Sequence, residues 1–353
     1  MSSINALVLL TLSALTVVGA HAGGLRAGGG WFPPSSVPSM DSATFHTQLA
    51  PLFQAATLTY TATFGTYYNP LVANNSIDGF SKSHLESNPP MGGMRALVFV
   101  ENNGGNRVLV AFRGTDLNST TPGGQSDLCA DQILFDNITN PADMYPFCAS
   151  IPPAQLDYYI AAKAFLRSVL TTYPAPYEVL MTGHSLGAGL SNMMVLSAVD
   201  PQCFPPQDAA RIVGSVVMSS PAFILPIMER VQAPYPASAA TQEALSKRIT
   251  TLADAFDPVY MVANKHPIGL LGQVCKWVIL PEPISCSICQ LDPSDSSTNL
   301  PCQACFVQRH IYSHYLHTFQ NATLMPVCEA SPRTPCSNPT NALACTGHGS
   351  DCQ

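Results

Sequence analysis

Charge is scarce in this sequence. Asp, Glu, Lys and Arg together supply 10% of its 353 residues, against roughly a quarter in ordinary soluble proteins. Hydrophobic residues supply 46%, which is enough for a sizeable core and excludes a disordered chain. Basic residues are the scarcer sign: 15 Lys and Arg stand against 22 Asp and Glu, a formal net charge of -7. No basic stripe exists to neutralise phosphates, which excludes nucleic acid as a partner. The same balance argues against a strong electrostatic pull towards anionic membranes. Beyond the first residues no apolar run is long enough to span a bilayer, so no transmembrane segment is expected in the mature chain. No internal repeat is visible.

The one long apolar run stands at the start. Ala6 to Val18 is followed by Ala20, His21 and Ala22, a small-x-small pattern. Residues 1–22 therefore read as a secretory signal peptide cut after Ala22, although no Lys or Arg precedes the apolar run. Residues 23–40 form a Gly-, Pro- and Ser-rich leader expected to hold little structure. All twelve cysteines follow the cleavage point. An even count in an exported chain implies disulfides. Sequons at Asn74, Asn118, Asn137 and Asn321 fit the same secreted, extracellular destination and a glycoprotein.

Nine cysteines fall after residue 270. Cys286 and Cys289, with Cys302 and Cys305, approach zinc-ribbon spacing, but behind a signal peptide disulfides are the preferred reading and no metal is expected. They lie in a Cys-rich insertion near 275–305. Residues 326–353 have few core-forming side chains, so this Cys-rich tail is expected to be a small knot held by its bridges. In a partner-binding reading this tail would be the contact.

Between these ends, β-rich runs alternate with helical spacing. Ala96 to Val100 and Val108 to Phe112 flank a turn-rich linker and read as a hairpin, the first firm element. Ala154 to Leu170 has helical spacing. Tyr177 to Thr182 reads as a short buried strand, and Leu186 to Val199 as a helix rich in small residues. Arg211 to Ser219 and Arg248 to Leu252 read as further strands, with a helix at Thr241 to Lys247 before the second. Buried strands alternating with helices imply an α/β fold with a mostly parallel sheet.

One segment in that frame carries chemistry. Gly183-His184-Ser185-Leu186-Gly187 fits G-x-S-x-G, placed between a strand and a helix. There a serine sits on a strained turn that exposes its oxygen, and Gly183 and Gly187 keep side chains out of neighbouring backbone. Serine is a poor nucleophile without a base, and the base needs a carboxylate to fix its tautomer. Chain order places the acid next, and Asp254 and Asp257 follow a strand. Asp257 is favoured, because Pro258 biases it to an extended strand-end conformation. His310, His314 and His317 are the candidates for the base. Histidines at this spacing share a helix face and could hold a metal, but no acidic partner accompanies them in the motif. The Leu186 N–H should supply one oxyanion donor. The Thr115 N–H, in the loop after Val108 to Phe112, should supply the other, with its hydroxyl in support.

Four segments resemble the class 3 (fungal-type) lipase family of α/β-hydrolases. They are VAFRGTD at 110–116, VLMTGHSLGAGL at 179–190, MSSPAF at 218–223 and RITTLADAFDPVY at 248–260. The resemblance implies an α/β-hydrolase fold over residues 41–325, with a catalytic histidine a few positions before an aromatic. His310, followed by Tyr315 and Leu316, fits that spacing, with His314 the alternative. The family's Asp-Trp-x-x-Asp is reduced here to Asp127 and Asp131 without the Trp, and its His-x-Gly-Phe is missing. The stretch 117–153 is where the family carries its lid. The activity implied is a secreted triacylglycerol lipase acting on lipid esters at a lipid–water interface, through Ser185, His310 and Asp257 and without a cofactor. A phospholipase, a feruloyl-type esterase or a catalytically silent lipid- or partner-binding relative would use the same frame.

Overall fold

The computed structural model describes residues 32–61, 76–89, 92–135, 143–199, 203–221, 247–260, 270, 272–277, 308–320 and 324–330. The expected signal peptide, the paired CxxC segments and the chain after residue 330 lie outside the described residues, as does most of the helix expected at Thr241 to Lys247.

Among the described residues nine strands form one sheet in chain order. β1 (Ser76–Ile77), β2 (Phe80–Ser87), β3 (Ala96–Glu101) and β4 (Arg107–Phe112) pair antiparallel. From β4 the ladder turns parallel through β5 (Glu178–Gly183), β6 (Ile212–Met218), β7 (Ile249–Asp254) and β8 (Gln273–Trp277). β9 (Val327–Ala330) closes the edge antiparallel to β8. The α/β fold with a mostly parallel central sheet is as expected.

The central strands are buried along nearly their whole length because both faces are covered. In β4, Val108, Val110 and Phe112 enter one core, and Leu109 and Ala111 enter the other. Successive strand side chains point to opposite faces, so one run feeds both cores. The first core is filled by α4 (Tyr158–Thr172) and α5 (Leu186–Val199), with Ala130 and Leu134 of α2 (Pro122–Leu134). The second is filled by α1 (Ser42–Thr61) through Phe45, Leu49, Leu52 and Phe53, and by Tyr315 and Phe319 of α7 (Tyr312–Gln320). Among the described residues α3 (Pro153–Leu156) and α6 (Pro206–Ala209) are single-turn helices.

Several elements differ from expectation for identifiable reasons. The helix read at Ala154 to Leu170 is two helices, because the Asp157 side chain accepts from the Ile160 N–H at 3.1 Å and caps a new start. The leader is not structureless at its end. Pro34–Ser39 is a 3₁₀ helix with Pro34 and Val37 buried, and Thr250 Oγ1 donates to the Pro34 carbonyl at 2.9 Å. The hairpin is not the first firm element either, since α1 runs for 20 residues with Pro51 inside it. Cysteines are paired: Cys129 with Cys148 and Cys275 with Cys328, and Cys203 is also bridged. Among the described residues no helix is long and apolar enough to cross a membrane.

Candidate active site

The elbow is made by backbones in close approach. β5 ends at Gly183 and α5 begins at Leu186, so His184 and Ser185 make the whole turn. Ser185 has φ 58°, a left-handed conformation that costs a residue with a side chain. The turn is pinned to the end of β6, where the Ser185 N–H donates to the Met218 carbonyl at 3.1 Å. A Cβ on Gly183 would lie 2.5 Å from the Gly187 carbonyl carbon, and one on Gly187 would lie 2.1 Å from the Phe112 carbonyl oxygen. Both positions therefore accept only glycine.

His310 sits just before α7 and reaches both neighbours the chemistry needs. Its Nε2 lies 2.8 Å from Ser185 Oγ, and its Nδ1 lies 3.0 Å from each Asp257 carboxylate oxygen. A carboxylate facing Nδ1 places the proton there, which leaves the Nε2 lone pair to accept from Ser185. Asp257 follows β7 and is fully buried. Val259 N–H donates to its Oδ1 at 2.8 Å, while Ser219 Oγ and Tyr315 OH donate to its Oδ2 at 2.7 and 2.6 Å. Burial alone would raise this carboxyl's pKa. The charge and hydrogen bond of His310, with those from Tyr315 and Ser219, outweigh it and hold the pKa below its ordinary value.

His184, inside the elbow motif, braces His310 from behind. Its Nε2 lies 2.5 Å from the His310 carbonyl oxygen and its Nδ1 lies 2.9 Å from Tyr60 OH. Nε2 must donate to that carbonyl, so Nδ1 accepts from the tyrosine. Burial first, and the neighbouring His310 second, lower the His184 pKa to about 3, against weaker opposing pulls from Asp257 and the His310 carbonyl. It is a neutral strut at ordinary pH.

The other candidates find separate partners. His314 Nε2 lies 2.6 Å from Asp254 Oδ2, and Arg309 Nη1 donates to the same oxygen at 2.8 Å. Asp254 and His314 thus form a second carboxylate–imidazole pair beside the first. His317 is exposed in the last turn of α7.

The loop after β4 is packed against the elbow. A Cβ on Gly114 would lie 2.4 Å from the His184 carbonyl oxygen. Leu186 opens α5, so its N–H has no acceptor within the helix. The Thr115 hydroxyl, expected to support the oxyanion, instead donates to Asp131 Oδ2 at 2.7 Å. Its single proton is committed there, which leaves the Thr115 N–H as the donor this residue can offer. Asp127 is the loop's second anchor: it forms a buried ion pair with Arg113, and accepts from the Asp116 N–H at 2.9 Å and from Tyr158 OH at 2.6 Å. Both acids belong to α2. The stretch 117–153, which the resemblance gives to a lid, thus contributes a buttress here, with Asp127, Cys129, Ala130 and Leu134 buried. Residues 136–142 lie outside the described residues.

Sequence reasoning missed Tyr60, Ser219, Arg309 and the bracing role of His184. Ser219 stands in a segment already singled out, but Tyr60 is 124 residues from its partner and has no local signal. Among the described residues no group of three or more His, Cys, Asp or Glu could hold a metal ion.

No known family model matches the chain, and no curated protein matches it. Some solved structures are similar to it. Lipase II from Rhizopus niveus shares 16% identity over 67% of this chain and 82% of its own, with a TM-score of 0.39. A triacylglycerol lipase from Penicillium expansum shares 15% over 67% and 80%, at 0.35. Rhizomucor miehei lipase, in complex with its propeptide, shares 14% over 73% and 79%, at 0.39. What this site can do follows from its own geometry.

Proposed function

We propose that this protein is a secreted serine ester hydrolase acting on lipid esters, as a triacylglycerol lipase. One observation carries the reading: Ser185 Oγ lies 2.8 Å from His310 Nε2, while His310 Nδ1 faces the buried Asp257 carboxylate. Ser185 attacks the ester carbonyl carbon as His310 takes its proton. Asp257 orients the imidazole and stabilises the imidazolium that forms. The Leu186 and Thr115 N–H groups stabilise the oxyanion, and the N-terminus of α5 adds its dipole. His310 then returns the proton to the leaving alcohol. The acyl-enzyme is hydrolysed by a water that the same histidine activates. This chemistry calls for no metal or organic cofactor.

The lipid part of the proposal is supported by apolar side chains left in solvent beside the machinery. Leu117, two residues after Thr115, is 63% exposed, and Ile311, next to His310, is 38% exposed. An acyl-chain series of p-nitrophenyl esters and triacylglycerols, with and without an oil–water interface, tests it. Long-chain esters hydrolysed faster at the interface support a lipase. Activity confined to phospholipid or to feruloyl esters would redirect the substrate assignment, and no hydrolysis by any arm would indicate a silent relative.

A further inference from the structure

Among the described residues three that are not glycine adopt a left-handed backbone: Asn103, Ser185 and Ser219. Asn103 lies exposed in the turn between β3 and β4, and asparagine tolerates that conformation. Ser185 is the elbow itself. Ser219 follows β6, is fully buried and has φ 50°. Its backbone is tied on both sides. The Ser219 N–H donates to the Leu252 carbonyl at 2.8 Å, and the Met218 carbonyl before it accepts from the Ser185 N–H at 3.1 Å. Glycine takes this conformation without steric cost, so a side chain here is held against strain.

That side chain ends between the two groups that stand behind Ser185. Ser219 Oγ donates to Asp257 Oδ2 at 2.7 Å and lies 3.1 Å from His310 Nδ1. Its one proton is committed to the carboxylate, so a lone pair faces Nδ1. The Nδ1–H then meets three acceptors at nearly one distance: the two Asp257 oxygens at 3.0 Å and this hydroxyl. Tyr315 OH donates to the same Oδ2 at 2.6 Å, so two hydroxyls fix the carboxylate. Ser220, the next residue, is equally buried but turns to α5, where it accepts from Asn192 Nδ2 at 3.1 Å.

We propose that Ser219 is a positioning residue, whose hydroxyl fixes the Asp257 carboxylate and gives the His310 Nδ1–H a third acceptor, and that the left-handed backbone is kept to place it there. The inference rests on Ser185, His310 and Asp257 acting as proposed above. Without the hydroxyl, the carboxylate gains freedom to rotate and the imidazole to tilt away from Ser185. The hydroxyl acts through Asp257 and His310 and not on the ester. Its loss should therefore fall on kcat and leave KM in place.

Two variants separate the hydroxyl from the backbone. Ser219→Gly removes the hydroxyl and relaxes the strain, whereas Ser219→Ala removes the hydroxyl and keeps the strain. Both should lower kcat about tenfold with KM unchanged. The glycine variant should have the higher urea midpoint of the two, so it carries the test even where the alanine variant folds poorly. Ser220→Ala should keep the wild-type kcat. A readout independent of turnover is the low-field proton resonance of the His310 Nδ1–H, identified by its absence from a His310→Gln sample. It should shift, and exchange faster with water, in both Ser219 variants. A glycine variant with wild-type kcat or an unmoved resonance would assign Ser219 a backbone role alone and overturn the inference. An equal loss of kcat in Ser220→Ala would assign the effect to packing and overturn it too. Loss of hydrolysis in Ser185→Ala beside unchanged Ser219 variants would sink this inference and leave the ester-hydrolase reading standing. Full hydrolysis by Ser185→Ala would overturn that reading and this role with it.

Discussion

Ser185 holds its strained turn because two glycines let three backbone segments meet there. The tighter contact is at Gly187, where an added Cβ would lie 2.1 Å from the Phe112 carbonyl oxygen. Neither β4 nor α5 can retreat, since both are buried. Gly187→Ala should therefore lower stability by about 3 kcal/mol or more. A urea midpoint equal to that of the wild type would contradict this packing. His184 supports a second prediction at this scale. Its pKa is about 3 in the folded chain against roughly 6.5 when unfolded. Below the unfolded value the unfolded chain takes up the proton and the folded chain does not. Stability should fall by about 1.4 kcal/mol for each pH unit between 6.5 and about 3, and not change on this account above 6.5. Gln at position 184 cannot titrate but can still donate to the His310 carbonyl. His184→Gln should flatten the fall of the urea midpoint between pH 6.5 and 4, and an unchanged slope would show that other groups govern it.

The roles at the site were readable from sequence to uneven depth. Ser185 and the glycines lie in one short motif. Asp257 is marked by its proline. His310 and His314 were not separable by local reasoning alone, and the geometry explains why. His310 and His314 each have a buried carboxylate, Asp257 and Asp254 respectively, and only the first pair continues to Ser185. Two near-equivalent pairs produce two near-equivalent sequence signals. Tyr60 and Arg309 act through contacts made by folding, so no local pattern marks them.

At the scale of elements, α2 was hidden. A polar loop running into Pro122, Gly123 and Gly124 reads as a breaker, yet Thr121 accepts from the Gly124 N–H at 3.1 Å and caps a helix there. β2 was hidden for a different reason: its sequence, FSKSHLES, is polar because one face of this near-edge strand is open. The helix α2 carries Asp127 and Asp131 to the loop after β4, and Cys129 between them bridges to Cys148. Replacing both cysteines with serine frees a loop of 19 residues and should cost about 3 kcal/mol. It should also lower kcat more than it raises KM, because the Thr115 donor is held through this helix. Urea unfolding and steady-state kinetics on the double variant measure both. A change in KM alone would mean that α2 serves binding and not the oxyanion loop.

At the scale of the whole molecule, the sheet is what the alternating apolar runs announced. β4, β5 and β7 are buried along nearly their full length, and β4 reads as a continuous apolar run after Arg107. What the runs could not announce is that residues far apart in the chain complete it. Pro34 is fixed by Thr250, and β9 closes the far edge against β8. Export is tested on the whole chain: the secreted protein should begin at Gly23 and lose mass on enzymatic deglycosylation. An uncleaved start would remove the basis for expecting an oxidising compartment. The hydrolase proposal itself depends on Ser185, His310 and Asp257 acting as one unit. It is tested most directly by a serine-reactive alkyl phosphonate with peptide mapping, run beside ester hydrolysis. The wild type should carry the adduct on Ser185 and lose activity in step. Ser185→Ala should take no label, and its turnover should fall by several orders of magnitude, leaving roughly a thousandfold over water. Equal hydrolysis by the two proteins, or labelling at another residue, would contradict the account.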